Sequence, residues 1–552
     1  MDSKRAFLAI FMSLVVLLGY QYFLASPPQP PAEQPPAVTT EATGPTPVAA
    51  IVPAGPTAPQ ALPPPEPARP AREITVDTGL YAAVFSESGG GLVSFKLKKY
   101  RESLANDSGP AELVTMKASA ELPLAFAWGD ETTPAPFFVA DRENLAVPAG
   151  QGEEEKLTMR ATLASGLEVT RTMVFQGDDY RMRLEVEVYN PTATPQPGAP
   201  HLRLVSRPLS QATKTGAQFA GPAAFAAGAL QEFKVDKLRE ATKTLRGQID
   251  WVAYEDTYFM CGILPAQPAA GVAAKLTATF SVTDTDKTTI VLAGEPEIIA
   301  PQGRVTYQYT AYFGPKKLDI LNAMGANLNR VVDFGWFDIL ARPTLFLLNF
   351  LHGYVKNYGV AIILVTVFIK LLFWPIASKG MKSMKNMQKI QPKLTKIREK
   401  YKDDKERLNV EMMNLYKTYK INPLGGCLPM VLQIPVFFAL YKVLLQAIEL
   451  RHAPFMFWIT DLSAPDRLFL GFNLPYLGGL PVLTLLMGGS MFLQQKMTPT
   501  SADPSQAKIM MFLPVVFTFM FLNFASGLVL YWFVNNLLAM LQQYIINKQV
   551  EA

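Results

Sequence analysis

Hydrophobic and polar residues follow two different patterns along this chain, and the change between them divides it into regions. In 73–332 apolar residues recur at every second position over short stretches, whereas 6–25 and several stretches after 342 are almost continuously apolar. Alternation with period two is typical of half-buried β-strands, and apolar runs of about 18 residues or more are typical of membrane-spanning helices. The pattern therefore predicts a β-domain combined with a set of membrane helices.

The β-region, 73–332, is predicted to form one large β-sandwich. Apolar residues alternate in "REITVDTGLYAAVFSESGGGLVSFKLKKY", which predicts two strands separated by a glycine turn at 89–91. The same alternation recurs in "EKLTMRATLASGLEVTRTMVFQGDDYRMRLEVEVYN" and in "KLTATFSVTDTDKTTIVLAG". Regular short strands separated by polar turns over a region of this length are typical of a sandwich.

The N-terminal apolar run is predicted to be an uncleaved signal anchor, 1–25. Lys4 and Arg5 precede it, and basic flanks remain in the cytoplasm. A cleaved signal peptide is the alternative, but its cleavage point, "FLAS", has the bulky Phe23 where a small residue is needed. Residues 26–72 contain 16 prolines and almost no large apolar residues, so they are predicted to be an extended linker. The β-domain then lies on the outer side of the membrane.

The last region, 333–552, is predicted to form a membrane core. Its segment 342–356 is amphipathic, as a helix lying in the membrane interface would be. Five apolar spans follow, at about 358–377, 424–447, 478–496, 508–523 and 528–547. Every basic cluster then falls on the same side, so the positive-inside rule places both termini in the cytoplasm. With the anchor, the fold class is a multi-span α-helical membrane protein with six spans plus an all-β outer domain.

A basic loop follows the first core span and is predicted to be a cytoplasmic helical hairpin, 378–421. Residues 376–422 contain 13 Lys and Arg against 5 Asp and Glu. Apolar positions repeat at spacings of three and four in both halves, which predicts two helices packed against each other. One interpretation is that the lysines only keep the loop inside; the other is a basic face that docks a partner or anionic lipid. The candidate docking residues are Lys389, Lys393, Lys396, Arg398 and Lys400.

Lys370 lies inside the first core span, where a charge is costly. A lysine at the centre of a lipid-facing helix costs about 2.5–3.5 kcal/mol on insertion scales. With the inner boundary near Ser378, Lys370 lies roughly 12 Å deep, at about 1.5 Å per residue. Snorkelling of the ammonium to the headgroups is one interpretation; a water-filled cavity inside the helix bundle is the other.

Polar residues on the other spans favour the cavity. Several of them reach a similar depth, and the five core spans carry no Asp or Glu at that level. Single polar residues usually form helix–helix hydrogen bonds, but a group at one level predicts a positively charged chamber that something negative or polar visits. The predicted members are Lys370, Thr366, Gln433, Thr518, Asn535 and Asn536.

The sequence argues against an enzyme. It has two cysteines and three histidines, with no HExxH motif, no carboxylate pair at core depth and no glycine-rich phosphate loop. No cofactor, metal or catalytic residue is therefore predicted. A small-solute or ion transporter or channel could also use an intramembrane lysine, but it predicts internal repeats and paired broken helices, which the sequence lacks.

Several longer stretches resemble the YidC membrane-protein insertases, relatives of the Oxa and Alb insertases of mitochondria and chloroplasts. The matching stretches are "NPLGGCLPMVLQIPVFFALYKVL", "ELRHAPFMFWITDLSAPD", "QQKMTP", "ASGLVLYWFVNNL" and "GGGLVSFKLKKY". The resemblance covers the whole architecture, from the anchor to a five-span core with a basic hairpin. It implies a bacterial inner-membrane protein of the Gram-negative type, whose β-domain is a periplasmic supersandwich.

The resemblance also implies a function. Such a protein inserts and folds newly made membrane proteins, alone or beside a SecYEG/SecDF-type translocon, through a groove open to cytoplasm and lipid. Ribosome and signal-recognition components are possible partners of the cytoplasmic loops, and no direct reading of nucleic acid is implied. The groove's charge is normally an arginine, and the matching position here is Lys370. Thr366, Gln433 and Trp532 match positions around the groove, with Trp532 where a tyrosine is common.

Overall fold

The computed structural model describes most of the chain from residue 70 onward. The described residues are 70–105, 107–115, 121–130, 133–150, 152–208, 219–266, 275–283, 287–419, 428–472, 477–497 and 504–551. The predicted anchor 1–25, nearly all of the predicted linker 26–72, and Cys427 lie outside these residues.

The described residues of the β-region form twenty strands. In chain order they are β1 Glu73–Asp77, β2 Tyr81–Ser86, β3 Leu92–Arg101, β4 Pro110–Thr115, β5 Phe126–Gly129, β6 Val139–Ala140, β7 Asn144–Ala146, β8 Glu154–Thr162, β9 Glu168–Gln176, β10 Arg181–Tyr189, β11 Gln196–Ser206, β12 Gly221–Ala226, β13 Ala229–Glu232, β14 Lys243–Gly247, β15 Ile249–Glu255, β16 Phe259–Pro265, β17 Leu276–Val282, β18 Thr288–Ala293, β19 Glu297–Ile299 and β20 Arg304–Pro315. A short helix, α1 (Val235–Glu240), interrupts them.

These strands form three sheets. A nine-stranded sheet has the order β13-β12-β15-β16-β20-β10-β9-β8-β6, a six-stranded sheet the order β14-β17-β18-β11-β19, and a five-stranded sheet the order β4-β3-β2-β1-β7. β5 pairs with β11, and the β1–β7 pair is parallel. Alternate residues of the long strands are buried, as in β10, where Leu184, Val186 and Val188 point into the core. The predicted β-domain is confirmed at this level.

The opening of the β-domain has three strands where the sequence analysis predicted two. Thr78 ends β1 because its hydroxyl accepts hydrogen bonds from the backbone N–H groups of Leu80 and Tyr81, at 3.1 and 3.0 Å. Side-chain bonds of this kind compete with the sheet ladder and start turns. The glycine turn lies between β2 and β3, and Gly89 and Gly90 there have φ of 72° and 60°, which glycine adopts without strain.

After the β-domain, the part of the chain that the structure describes contains eight further α-helices. They are α2 Leu318–Met324, α3 Asp338–Val355, α4 Tyr358–Lys400, α5 Lys405–Thr418, α6 Leu428–Gln446, α7 Val482–Met497, α8 Pro504–Phe521 and α9 Ser526–Glu551. Asn357 caps α4, since its side chain accepts from the backbone N–H of Val360. In the same way Asp404 accepts from the backbone N–H of Arg407 at the start of α5.

Two helices among the described residues are long and apolar enough to cross a membrane, Tyr358–Lys400 and Ser526–Lys548. Shorter apolar helical stretches occur at Leu432–Gln446 and Met510–Phe521. At about 1.5 Å per residue, the 16-residue α7 is about 24 Å long. The described part of the chain is therefore a β-domain followed by a helical region, two of whose helices are long and apolar enough to cross a membrane.

Candidate substrate groove

Lys370 lies near the middle of the apolar half of α4 and is half-buried. The side chains of Phe368, Leu371 and Leu372 around it are more than half exposed. Within the described residues the Lys370 ammonium has no hydrogen bond or ion pair. A charge in an apolar helix that has no protein partner needs water or a substrate group to solvate it.

Gln433 and Asn535 join α6 to α9. The Gln433 amide nitrogen donates to the Asn535 side-chain oxygen at 3.0 Å, and both residues are half-buried. Each amide has further donor and acceptor capacity beyond this one bond. The pair therefore presents a polar surface inside an apolar bundle, as the depth of both residues predicted.

Trp532 lies one turn from Asn535 on α9, among aromatic rings of two other helices. Its ring centroid is 4.7 Å from that of Phe437 on α6 and 4.9 Å from that of Phe521 on α8. Phe517 is 6.1 Å away. Both closest pairs are edge-on, the geometry that aromatic pairs prefer. This cluster, Phe437, Phe517, Phe521 and Trp532, gives the polar pair an apolar wall.

Three predicted groove residues make other contacts. The Thr366 hydroxyl donates to the Ile362 carbonyl of its own helix at 2.6 Å, and the residue is 1% exposed. Asn536 is also buried and donates to the Ser490 hydroxyl on α7 at 3.0 Å. Thr518 donates to the Pro514 carbonyl at 2.7 Å and packs against Gly488. In the structure the Asn536 hydrogen bond joins α9 to α7, a usual role of a polar group in a membrane helix, whereas the hydroxyls of Thr366 and Thr518 bond within their own helices.

Sequence reasoning missed two buried polar contacts. Ser490 is the partner of Asn536, and Gln542 on α9 donates to the Trp374 carbonyl and the Ser378 hydroxyl of α4, at 3.4 and 3.3 Å. Gln542 is fully buried. The polar side chain in an apolar span was the available signal, but its partner is set by which helices are neighbours.

Gly488 should be essential to the close approach of α7 and α8. A Cβ there would lie 2.1 Å from the Thr518 hydroxyl oxygen, so Gly488→Ala must push the helices apart. Overpacking of this kind costs about 1–3 kcal/mol. We expect a lower thermal unfolding midpoint in detergent for Gly488→Ala, partly restored by Thr518→Ala.

Gly489→Ala is the matched control, because a Cβ at Gly489 meets nothing within 4 Å. Equal midpoints for the two alanine variants would contradict this packing.

The predicted hairpin corresponds to the second half of α4 together with the whole of α5. Ile390 and Leu394 are buried, while the candidate docking residues Lys389, Lys393, Lys396, Arg398 and Lys400 are all exposed. Two of these lysines stack on tyrosine rings: Lys393 on Tyr419 and Lys400 on Tyr401, at 4.6 and 5.2 Å from the ring centroids. The basic face is therefore open to a partner.

A β-domain followed by apolar helices around a half-buried lysine defines an integral membrane protein with a large extramembrane domain. Two family models divide the chain between them: "YidC periplasmic domain" matches residues 73–347, and "60Kd inner membrane protein" matches residues 350–552. The chain belongs to the family of YidC membrane protein insertases. The protein lies in the inner membrane and has a periplasmic domain. It acts as a membrane protein insertase and is not an enzyme.

Curated relatives match over their full length. Membrane protein insertases YidC of Syntrophus aciditrophicus and Pelobacter propionicus are each 42% identical to this chain, over 99% of it and 100% and 99% of the relatives. The insertase of Geobacter sulfurreducens is also 42% identical, over 99% of both chains. A crystal structure described as an active YidC insertase with its first transmembrane domain resolved is 18% identical, covers 87% of this chain and 93% of that one, and has a TM-score of 0.35. The family assignment decides against the transporter or channel that the sequence left open.

Proposed function

We propose that this insertase receives polar segments of membrane-protein substrates in a groove whose positive wall is Lys370 and whose polar floor is the Gln433–Asn535 pair. The observation that carries the proposal is the half-buried Lys370 ammonium, which has no partner among the described residues. A passing acidic or polar segment supplies the counter-charge for a short time. Trp532 and its aromatic cluster line the path for the apolar segment that follows.

The proposed topology has six membrane spans, five of them in the core. The five core spans correspond to the first half of α4 and to α6, α7, α8 and α9. Large apolar side chains on α8, among them Phe512 and Phe519, are 63% and 71% exposed, as expected for a lipid-facing surface. Both termini are then cytoplasmic, the β-domain is the periplasmic supersandwich, and the hairpin 378–421 is cytoplasmic.

Helix α3 is proposed to lie in the outer membrane interface. Leu345 and Leu348 are buried against the core, whereas Phe346, Phe350 and Tyr354 form an exposed stripe at spacing four. A helix with a buried apolar side and an exposed aromatic side beside a membrane bundle fits an interfacial position.

Short spans support the movement of polar segments. The 24 Å of α7 is below the hydrocarbon thickness of about 30 Å, and a short helix thins the surrounding bilayer at modest cost. A thinner bilayer around the helices shortens the apolar path that a substrate's polar segment must cross. The basic hairpin and a SecYEG/SecDF-type translocon are the proposed docking partners for delivery, with ribosome and signal-recognition components on the cytoplasmic side.

Purified protein in liposomes should insert a short single-span substrate without added nucleotide. The energy comes from burial of the substrate's apolar segment, about 25 cal/mol per Å². Protease protection of the substrate's outer segment measures insertion, and liposomes without protein are the control. No protection above the protein-free level would overturn the proposal.

A further inference from the structure

The segment between α6 and α7, residues 448–481, here named the outer loop, carries two exposed apolar stretches. The first apolar tip is residues 456–458, "MFW", and the second apolar tip is residues 469–472, "FLGF". We propose that both tips insert into the headgroup and upper acyl region of the membrane and hold the outer ends of the core helices at that depth. The outer leaflet is the one concerned, because the proposed topology places this loop outside. The contact is with lipid and not with substrate, so it goes beyond the proposed function.

The first apolar tip exposes a phenylalanine at a strained backbone position. Phe457 is 90% exposed and has a φ of 54°, a region that bulky residues rarely adopt. Its ring stacks on that of Trp458, with the centroids 6.0 Å apart. The Trp458 indole donates to the buried Asp466 carboxylate at 2.6 Å, so the ring beside Phe457 is fixed. Strained conformations persist where the surroundings determine them, and this one holds an apolar ring outward from a rigid base.

The second apolar tip is a short turn without a polar side chain. Phe469, Leu470 and Phe472 are 50–64% exposed. Gly471 between them has a φ of 89°, which glycine adopts without strain. Apolar residues that are scattered singly over a surface need no explanation, whereas contiguous exposed patches mark sites of interaction with protein or membrane. Three large apolar side chains within four residues form such a patch.

Hydrogen bonds fix the base of the second apolar tip at the ends of core helices. Leu468 and Leu480 exchange two backbone hydrogen bonds of 2.8 Å, and α7 begins two residues after Leu480. The Arg467 guanidinium donates to the Leu522 carbonyl and to the Asn523 side-chain oxygen, at 2.8 and 3.0 Å. Both acceptors belong to the turn between α8 and α9. The tip therefore lies at the level where three helices of the core begin or end.

The first apolar tip adjoins the C-terminal end of α3, the helix proposed to lie in the same interface. Phe455, two residues before Phe457, accepts through its carbonyl from the Asn357 amide at 3.0 Å, just after α3 ends. The last turn of α3 exposes Tyr354, and the almost fully exposed Trp336 precedes its first turn. Exposed aromatic side chains therefore continue from α3 onto the outer loop. Aromatic residues are enriched at the membrane–water interface.

The composition of the two apolar tips favours lipid over a protein partner. Neither tip contains Lys, Arg, Asp or Glu. Protein interfaces are enriched in arginine and have a polar rim of hydrogen-bonding groups. A segment in the membrane interface instead buries its apolar side chains about 5–10 Å into the boundary between headgroups and acyl chains. The inner membrane in which this protein lies supplies that environment at the ends of the helices.

The test is the depth of a fluorescent label in the membrane. The full chain with Cys261→Ala and Cys427→Ser carries Phe457→Cys or Leu470→Cys as its single thiol, labelled with NBD, in liposomes of phosphatidylcholine and phosphatidylglycerol. We expect blue-shifted emission and loss of most of the fluorescence when the liposomes contain lipid with a nitroxide near the headgroup. A nitroxide at the end of the acyl chain should quench less, because the tips are shallow. Glu168→Cys, at an exposed position of β9, is the control, and its label should be quenched by aqueous iodide and by neither lipid.

A second pair of variants tests whether the side chains of the tip cause the insertion. In the chain labelled at Leu470→Cys, Phe469→Ser combined with Phe472→Ser should remove most of the quenching by the headgroup nitroxide, because burial of apolar surface is the favourable term. Both phenylalanines are exposed, so the fold should tolerate the change. Ile298→Ser, at an exposed position of β19, is the matched control and should leave the quenching unchanged.

Three results would overturn the anchoring. Labels at both tips that iodide quenches as strongly as the Glu168→Cys label would show that the tips lie in water. Blue-shifted emission without quenching by either lipid would show that another copy of the chain covers them. Unchanged quenching in the double serine variant would show that the neighbouring helices alone set the depth of the outer loop.

Substrate insertion by the same liposomes is measured separately. Absence of insertion with lipid quenching retained at both tips would overturn the proposed function and support the anchoring. Absence of lipid quenching with insertion retained would overturn the anchoring and leave the proposed function supported.

Discussion

Replacing Lys370 with glutamate should reduce the insertion of substrates with acidic outer segments at least about a hundredfold. Two unit charges 4 Å apart near a protein surface interact by about 4 kcal/mol at an effective dielectric constant of about 20. Charge reversal converts that attraction into repulsion, so even a well-hydrated groove leaves a difference of about 3 kcal/mol, a factor of about 100 in rate. Lys370→Ala should give an intermediate loss.

Lys370→Arg should insert these substrates at close to the original rate if the charge alone is needed. The measurement is protease protection of matched substrates that differ only in acidic or neutral outer residues. Lys548→Glu, the same reversal at an exposed position near the end of α9 and outside the hairpin, is the control for a general change in charge. Insertion of the acidic substrate at the original rate by Lys370→Glu would contradict the electrostatic role. A loss with Lys370→Arg would instead indicate that the compact ammonium is required.

The division into β-domain and helical membrane region could be predicted from the sequence because apolar residues alternate with polar ones in the first region and form nearly continuous runs in the second. Strand β10 shows why: its inward residues Leu184, Val186 and Val188 alternate strictly with polar ones. The break at Thr78 could not be predicted from the period, since a side-chain hydrogen bond and not a change in hydrophobicity ends β1. The order of strands in three sheets depends on contacts between residues far apart in the chain, which alternation does not encode.

For the groove, the depth of each residue could be predicted from the sequence, but the contacts of its side chain could not. Depth in the membrane follows from residue count, and Gln433 and Asn535, placed at one level by that count, do form a hydrogen bond. The direction in which a side chain points depends on neighbouring helices. Asn536 therefore meets Ser490, although it follows Asn535 directly, and Thr366 bonds within its own helix. The roles of all these residues in substrate handling remain predictions.

A buried ion pair in the β-domain gives the second large expected effect. Glu255, at the end of β15, is 1% exposed and pairs with Lys316, whose ammonium also donates to the Asp256 carbonyl at 3.0 Å. Burial raises the pKa of Glu255 from 4.5 to about 7, although the charge and hydrogen bond of Lys316 partly oppose the rise. The folded state thus binds this proton more tightly than the unfolded chain. The free energy of unfolding that this tighter proton binding contributes is fully present below pH 4.5 and is lost as the pH rises through 7.

Lys316→Met should therefore destabilise the β-domain by about 3–5 kcal/mol at pH 8, the cost of leaving a buried charge without its partner. At pH 5 the carboxyl group of the variant is protonated and needs no ammonium, so only about 0.5–1.5 kcal/mol for the lost hydrogen bond should remain. A protease pulse in increasing urea, applied to the full chain in detergent at both pH values, measures the unfolding midpoint. Lys156→Met, at an exposed position of β8, is the control. Glu255→Gln should flatten the pH dependence of the unfolding midpoint between pH 4.5 and 7. An equal loss for Lys316→Met at pH 5 and pH 8 would show that lost packing, and not the charge of Glu255, determines the effect.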